Sequence, residues 1–157
     1  MSQRLKLARR LALAVPALLL IGAYISQYGF GLFPCEMCWW QRYPHFAAVV
    51  LALVSFVAAP RPAWVALAGL AILTSGLIGL FHAGVEYGWW EGLTACTSPV
   101  AEGADPLAAV MNAPLIRCDV PQWELLGVTL AGFNFLFSTA GAIAVLWLVG
   151  KSGKAQG

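Results

Sequence analysis

The chain is dominated by long apolar runs that contain no Asp, Glu, Lys or Arg. The runs are 18 to 26 residues long and cover Leu11–Pro34, Tyr43–Pro60, Pro62–Val85 and Leu125–Gly150. About 20 such residues, at about 1.5 Å each, cross roughly 30 Å of hydrocarbon in a helix. The pattern predicts an all-α membrane protein, a four-transmembrane-helix antiparallel bundle. Its helices are expected at about 11–30, 42–59, 63–83 and 124–149.

Composition agrees with this fold class. Of 157 residues, 61% are hydrophobic and only 10% are charged, which is far more apolar than an ordinary soluble domain. Residues 1–157 are therefore expected to form a single integral membrane domain. The net charge of +2 comes from basic residues that flank the helices and form no stripe, so a nucleic-acid partner is not expected.

The basic residues also predict an orientation, because Lys and Arg are retained on the cytoplasmic side of a membrane. With both termini in the cytoplasm, seven of the nine basic residues are cytoplasmic and only Arg42 and Arg117 lie outside. The first apolar run is longer than the core of a signal peptide, and no small-x-small cleavage site is evident before Gln27. We therefore expect this segment to be retained as the first helix.

All four cysteines fall on the outer side in this orientation. Cys35 and Cys38 lie in a short loop at about 31–41, whereas Cys96 and Cys118 lie in a longer loop at about 84–123. The outer side of a bacterial inner membrane is the oxidising periplasm, where thiol pairs form disulfides. Four cysteines allow three pairings, and their spacing favours Cys35 with Cys38 and Cys96 with Cys118.

The C-x-x-C spacing of Cys35 and Cys38 is typical of redox-active dithiols, which can close and reopen a small ring. The second helix is expected to begin near Gln41 to Pro44, so that Cys38 stands just ahead of a helix N-terminus. That positive helix end would stabilise a thiolate at Cys38. Two alternatives remain open: a purely structural disulfide, and a zinc site formed by all four thiolates. The oxidising compartment disfavours zinc, and no metal is predicted.

Two polar residues of the outer helix ends are candidates for binding a quinone. Arg42, four residues after Cys38, can donate to a quinone carbonyl oxygen or simply extend toward lipid phosphates. His82 can take a similar role or satisfy a buried hydrogen bond. Glu86 follows His82 by four residues on the same helix face and can orient the imidazole. His45 is expected to be structural or interfacial.

Several small and polar residues predict helix packing. On the third helix, small residues allow close approach of a neighbour at Gly69, Ser75, Gly76 and Gly79. On the fourth helix, interhelical hydrogen bonds are expected from Thr129, Asn134 and Ser138. Tryptophans near the helix ends are expected to lie in the lipid headgroup region, namely Trp39, Trp40, Trp89 and Trp90.

These motifs together resemble the disulfide bond formation protein B (DsbB) family. The resemblance rests on Pro34-Cys35-x-x-Cys38-x-x-Gln41-Arg42, the segment His82–Glu86 with the tryptophans after it, and the Cys96 and Cys118 pair. It extends to Cys118-Asp119 leading into a fourth helix with Gly127 and Asn134. The similarity spans nearly the whole chain.

The resemblance implies a protein-dithiol:quinone oxidoreductase that supports disulfide bond formation. A periplasmic DsbA-like thiol oxidase of thioredoxin fold is the implied partner, and its thiolate attacks Cys96. Cys118 is then released and exchanges with Cys35, which leaves Cys38 as a thiolate. Electrons pass to ubiquinone or menaquinone near Arg42 and His82, and from the quinone pool to the respiratory chain.

Two other function classes remain open at the level of sequence. One is a non-catalytic membrane scaffold whose disulfides brace its loops. The other is a quinone-linked protein similar to vitamin K epoxide reductase, with the reverse flow of electrons. Those proteins place the C-x-x-C late in the bundle, whereas here it follows the first helix, which disfavours this alternative.

Overall fold

The computed structural model describes residues 2–93 and 117–153. Cys96 and most of the second outer loop lie outside the described residues. The described part contains four helices and one short hairpin, in the order α1 (Gln3–Gly29), α2 (Glu36–Val57), α3 (Arg61–Glu86), β1 (Glu124–Leu125), β2 (Val128–Thr129) and α4 (Leu130–Gly153).

The helix bounds differ from the predicted spans at three places. α1 begins at Gln3 rather than near residue 11, because the basic N-terminal segment is helical and the Ser2 hydroxyl caps it by accepting from the Leu5 amide. α2 begins at Glu36, earlier than the predicted start near Gln41, so Pro44 and His45 lie inside the helix. Residues 124–129, predicted as the start of the fourth helix, form the hairpin instead.

Three of the described helices, α1, α3 and α4, are long and apolar enough to cross a membrane. α2 has 22 residues, which corresponds to about 33 Å, but it is not among these three. Its lower apolarity follows from Gln41, Arg42 and His45, whose side chains are buried among the helices. Length and apolarity thus support a membrane protein with at least three spanning helices.

The helices pack side by side in chain order, and α4 also packs against α1. Only residues 58–60 connect α2 to α3, so these packed neighbours run in opposite directions, as predicted. Buried apolar residues form three clusters along the helices. The cluster nearest the chain termini includes Leu5, Val65 and Val145, and a middle cluster includes Ile72. The third cluster contains cysteines and defines what we call the cysteine end.

Close approach of α3 and α4 depends on glycines, as the sequence predicted. A Cβ atom on Gly79 would lie 3.0 Å from the Ala131 carbonyl oxygen and 3.0 Å from the Phe135 amide nitrogen. A Cβ atom on Gly76 would lie 2.8 Å from the Thr139 hydroxyl oxygen. Small residues at these positions therefore let the two backbones meet.

The β1–β2 hairpin is fixed to the end of α3 by Tyr87. The Tyr87 hydroxyl donates to the Gly127 carbonyl oxygen at 2.8 Å and accepts from the Thr129 amide at 3.2 Å. Leu126 and Gly127 form the turn with φ angles of 53° and 76°. This hairpin brings the chain back across the cysteine end before α4 begins.

Candidate active site

The C-x-x-C pair starts helix α2 rather than lying in the loop before it. Cys35 is the N-cap residue, and its sulfur accepts a hydrogen bond from the Cys38 amide at 3.3 Å. The two sulfurs lie 3.1 Å apart, with the Cys35 thiol donating to Cys38. This separation is well beyond a disulfide bond of about 2.05 Å, so the structure shows the dithiol form of the pair.

The two thiols of this pair are not equivalent. Hydrogen bonding to Cys38, together with burial, raises the pKa of Cys35 to about 12. Cys35 therefore keeps its proton at neutral pH and shares it with the neighbouring sulfur. The first negative charge of the pair falls on Cys38, which lies in the first turn of α2, where the helix dipole favours an anion.

His82 reaches the cysteine pair from α3. Its Nε2 atom lies 3.6 Å from the Cys35 sulfur and 3.7 Å from Oε1 of Glu86. Both side chains are buried, at 3% and 8% exposure. The predicted pairing of Glu86 with His82 is thus present, and it places one imidazole nitrogen between a thiol and a carboxylate.

Gln41 holds the other side of the His82 ring. Its amide nitrogen lies 2.8 Å from Nδ1 of His82 and donates to the Met37 carbonyl oxygen at 3.2 Å, while its amide oxygen accepts from Asn134 at 2.8 Å. With this amide orientation Nδ1 is an acceptor, so the hydrogen-bond network assigns the imidazole proton to Nε2. The sequence predicted no side-chain role for Gln41.

A buried polar network continues from Gln41 toward the middle of the helices. Asn134 also contacts His45, with 2.9 Å between its Oδ1 and the ring Nε2. The hydroxyl of Ser75 lies 2.9 Å and that of Ser138 3.3 Å from the same nitrogen. The interhelical hydrogen bonds predicted for Asn134 and Ser138 are confirmed. His45 is 3% exposed, so of its two predicted environments the structural one is observed.

Arg42 is buried against α1, with only 6% of its surface exposed. Its guanidinium donates to the Gln27 side-chain oxygen at 2.6 Å and to the Ala23 carbonyl oxygen at 3.4 Å. The rings of Tyr24 and Trp39 flank it, with centroids at 5.0 Å and 4.9 Å. Within residues 2–93 and 117–153, no carboxylate pairs with this cation. Two of its five N–H groups are used in these two bonds.

A cavity of about 280 Å³ connects Arg42 to the cysteine pair. Apolar residues of α1 and α4 line much of it, including Leu18 and Phe137, and the loop before α2, the segment around Gln122, Cys38 and His82 complete the wall. Its volume is close to the lower limit of about 300 Å³ for small-molecule sites. The cavity thus offers apolar walls with a cation and a thiol at one end.

The segment that contains Cys118 lies against the cysteine pair. Cys118 is buried in one cluster with Cys35, Met37 and Val85. The Gln122 side chain donates to the Phe33 carbonyl oxygen at 2.6 Å and joins this segment to the loop before α2. The structure therefore brings together three of the four cysteines that were predicted to be catalytic. The fourth, Cys96, lies outside the described residues.

The tryptophans near this end differ in their environments. Trp90 folds back on α3, where its indole N–H donates to the Phe81 carbonyl oxygen at 2.9 Å and its ring covers Gly84. Trp39 contacts the Arg42 guanidinium, and Trp40 packs near the cysteine cluster. Trp89 is 61% exposed. These side chains therefore shape the site as well as the helix ends.

Long apolar helices, a C-x-x-C dithiol at a helix N-terminus and a third cysteine packed on it define a membrane-embedded thiol redox protein. The family model described as "Disulfide bond formation protein DsbB" matches residues 5–148. The chain belongs to the DsbB family.

Curated relatives agree with this assignment. The chain is 34% identical over 140 residues to disulfide bond formation protein B of Verminephrobacter eiseniae, covering 80% of this chain and 75% of that protein. It is 30% identical over 142 residues to disulfide bond formation protein B of Azoarcus sp., covering 85% and 84%. It is 23% identical to the uncharacterized protein RP370 of Rickettsia prowazekii, covering 86% and 82%. No solved structure matches the chain significantly.

Family membership implies a role in disulfide bond formation through thiol oxidation and reduction. The three long apolar helices fit a membrane location for that chemistry.

Proposed function

We propose that the protein reoxidises a periplasmic DsbA-like thiol oxidase and passes the electrons to a membrane quinone. In the overall reaction, two thiols of the partner and one quinone give one disulfide and one quinol. One observation carries the proposal: the Cys35–Cys38 dithiol is packed with a third cysteine, Cys118, and also lines the cavity that contains Arg42. One dithiol is thus within reach of both an incoming thiol and a bound quinone.

The first half of the reaction is disulfide exchange. A partner thiolate attacks Cys96 in a Cys96–Cys118 disulfide, which forms a mixed disulfide and releases the Cys118 thiolate. Cys118 then attacks Cys35 in a Cys35–Cys38 disulfide and expels Cys38 as a thiolate. The partner's second thiolate displaces Cys96 from the mixed disulfide, which completes the partner's disulfide. The freed Cys96 thiolate displaces Cys35 from Cys118, so that the Cys96–Cys118 disulfide is restored and Cys35 and Cys38 remain as a dithiol for oxidation by the quinone. The packing of Cys118 against Cys35 supports this order, because direct transfer needs the two sulfurs to meet. The helix N-terminus at Cys38 stabilises the leaving thiolate.

His82 supports the exchange at Cys35. Its Nε2–H group lies between the Cys35 sulfur and Glu86, so it can donate to the negative charge that develops on Cys35 when Cys35 is displaced from Cys118. Gln41 keeps the ring in this orientation through Nδ1. We therefore assign His82 a direct contact with the reacting sulfur and Gln41 a positioning role.

The residues around the cavity fit a quinone. Quinone carbonyl oxygens accept hydrogen bonds, and Arg42 is a buried cation without a carboxylate partner among the described residues. Its own hydrogen bonds and the two aromatic rings hold the guanidinium at the cavity wall. When bound, a quinone supplies a two-electron acceptor. Arg42 would hold a quinone oxygen, and the apolar walls would exclude water from the thiolate at Cys38.

Redox potentials explain why an acceptor is needed. A DsbA-type disulfide lies near −120 mV and an ordinary thioredoxin-like dithiol near −270 mV, so an unassisted transfer is uphill by about 150 mV, or about 7 kcal/mol for two electrons. Stabilising the thiolate at Cys38 makes the Cys35–Cys38 disulfide a stronger oxidant. Removal of electrons by a quinone then drives the exchange forward.

We further propose the membrane topology. Residues 1–157 form one integral domain of the bacterial inner membrane, with both termini in the cytoplasm and the cysteine end in the periplasm. α2 crosses the membrane as the fourth helix, because its polar side chains face the neighbouring helices while Val50, Leu53 and Phe56 are exposed along its outer face. The seven basic residues on the cytoplasmic side support this orientation.

A turnover assay tests the proposed function. The purified protein, given a reduced DsbA-like partner and a soluble ubiquinone analogue, is expected to form quinol continuously. Cys38→Ser should lower this rate at least about a thousandfold, because the residue that delivers electrons to the cavity is lost. Tyr28→Phe, at an exposed position of α1, is the matched control and should retain the rate. Undiminished turnover in Cys38→Ser would contradict the mechanism.

The same assay distinguishes the scaffold alternative. A protein whose disulfides only brace its loops would lose stability in the cysteine variants but would form no quinol in any of them. Quinol formation by the unaltered chain that depends on Cys38 excludes that alternative.

A further inference from the structure

Three potential metal ligands converge at the cysteine end. The Cys35 sulfur, the Cys38 sulfur and a ring nitrogen of His82 all lie within 4.8 Å of one another. Two thiolates and one imidazole are a ligand set that Zn²⁺ favours in proteins. This set differs from the four-cysteine site considered from sequence, since it contains His82 and needs neither Cys96 nor Cys118.

The distances are close to those of a tetrahedral site. With Zn–S bonds of about 2.3 Å and Zn–N bonds of about 2.0–2.1 Å, two sulfur ligands lie about 3.8 Å apart and a sulfur and a nitrogen about 3.5 Å apart. The Cys35 sulfur and His82 Nε2 are 3.6 Å apart and already fit. The two sulfurs, at 3.1 Å, must separate by about 0.7 Å. Cys38 is only half-buried, so its side chain has room to move.

Glu86 lies next to this ligand set without belonging to it. Its side chain is 8% exposed, and its Oε1 atom lies 3.7 Å from His82 Nε2. Its carboxylate interacts with the Thr129 side chain, and it is not among the residues whose ligand atoms all lie within 4.8 Å of one another. Zinc sites with three protein ligands are completed by water, so the fourth position is assigned to a water molecule.

We propose that the dithiol form of the protein binds one Zn²⁺ through Cys35, Cys38 and His82, with water as the fourth ligand, and that this binding is inhibitory. The two thiols lose their protons to become zinc thiolates, and no electron is transferred. The disulfide form lacks both sulfur ligands and does not bind. The inhibitory consequence depends on the proposed function, whereas the binding itself does not.

Gln41 controls the proposed site through the imidazole tautomer. A zinc-bound Nε2 must lose its proton, and Nδ1 then carries a proton that needs an acceptor. In the structure, the side-chain amide of Gln41 donates an N–H group to Nδ1 of His82. Zinc binding therefore requires this amide to rotate so that its oxygen accepts the Nδ1 proton. Glu at position 41 would offer a carboxylate oxygen without this rearrangement. We therefore expect Gln41→Glu to bind Zn²⁺ more tightly, by about tenfold or more.

Metal binding is measured without partner or quinone. The full chain with Cys96→Ser and Cys118→Ser is reduced in detergent, freed of reductant and titrated with Zn²⁺ against a chromophoric chelator. Cd²⁺ is titrated in parallel, because thiolate-to-metal absorption reports sulfur ligation directly. We expect one ion per chain in the reduced protein and none after oxidation of Cys35 and Cys38.

The ligands are then tested one at a time. His82→Ala should weaken Zn²⁺ binding about a hundredfold, whereas Tyr28→Phe should leave it unchanged. Absence of one-to-one binding by the reduced protein would overturn the proposal. Unchanged affinity in both His82→Ala and Gln41→Glu would also overturn it, and the expected gain in Gln41→Glu guards against variants that merely fail to fold. Turnover without zinc binding would leave the proposed function standing.

Discussion

At the scale of residues, the site is defined by the unequal protonation of two neighbouring thiols. Cys35 donates to Cys38 and is buried, and these two features raise its pKa to about 12. A thiol with so high a pKa reacts slowly at neutral pH, since the thiolate is the nucleophile. The sulfur of Cys38 is therefore the one that carries charge toward the cavity.

Alkylation rates test this inequality. Because the bond to Cys38 is the largest cause of the raised pKa, Cys38→Ala should return the pKa of Cys35 toward its ordinary range. The thiolate fraction of Cys35 at pH 8 then rises, and its alkylation by iodoacetamide should be at least about tenfold faster than in the reduced protein with both cysteines. Mass spectrometry of the labelled peptide gives the rate. An equal or slower rate in Cys38→Ala would contradict the assignment.

The role of Gln41 could not be read from the sequence. Its hydrogen bond to His82 joins residues 41 positions apart on different helices, and helical periodicity carries no information about such a pairing. His82 and Glu86, four residues apart on one helix, were predicted to interact because that spacing places them on the same face. Contacts within a helix are thus predictable, whereas the partners across helices are not.

At the scale of elements, glycines set the distance between α3 and α4. This distance places Asn134 of α4 within hydrogen-bond distance of Gln41. A Cβ atom added to Gly79 would meet backbone atoms of α4 and would lie 3.0 Å from the Asn134 amide nitrogen. A Cβ atom added to Gly22 of α1 would have nothing within 4 Å. Substitution of Gly79 therefore reports on helix packing, whereas substitution of Gly22 reports on helix propensity alone.

Substitution by alanine at these glycines tests the packing. Gly79→Ala should push α4 away from α3 and destabilise the protein by about 1–3 kcal/mol, because backbone atoms cannot yield as side chains do. Gly22→Ala should be neutral or stabilise by up to about 1 kcal/mol, because alanine has the higher helix propensity. Thermal unfolding in detergent measures both. Equal effects of the two substitutions would contradict the role of Gly79.

Element boundaries show where sequence patterns were insufficient. The helix α2 begins at Glu36 because Cys35 acts as its cap, a role more often taken by Ser, Thr, Asp or Asn. The hairpin at 124–129 was included in the last apolar run, although Gly127 carried a turn signal. Leu126 adopts a positive φ of 53°, which is rare for a residue with a side chain and which no apolar pattern indicates.

At the scale of the whole molecule, the packed helices place both a third cysteine and a largely apolar cavity next to one dithiol. Three of the four predicted membrane-spanning helices are long and apolar enough, as hydropathy indicated, and three of the four cysteines lie together at one end, as their placement in the sequence indicated. The burial of Arg42 against α1 did not, because it depends on Gln27 and Tyr24 of a helix packed alongside. The cavity likewise arises only when α1, α2 and α4 are assembled.

The most direct test is whether a quinone oxidises Cys35 and Cys38 in a chain that lacks the other two cysteines. The reduced chain with Cys96→Ser and Cys118→Ser is mixed anaerobically with one equivalent of a ubiquinone analogue, and quinol and thiols are counted after quenching. We predict one quinol per chain and a Cys35–Cys38 disulfide recovered by mass spectrometry. Thiols that remain reduced beside unreacted quinone would contradict the central claim that this dithiol delivers its electrons to a quinone.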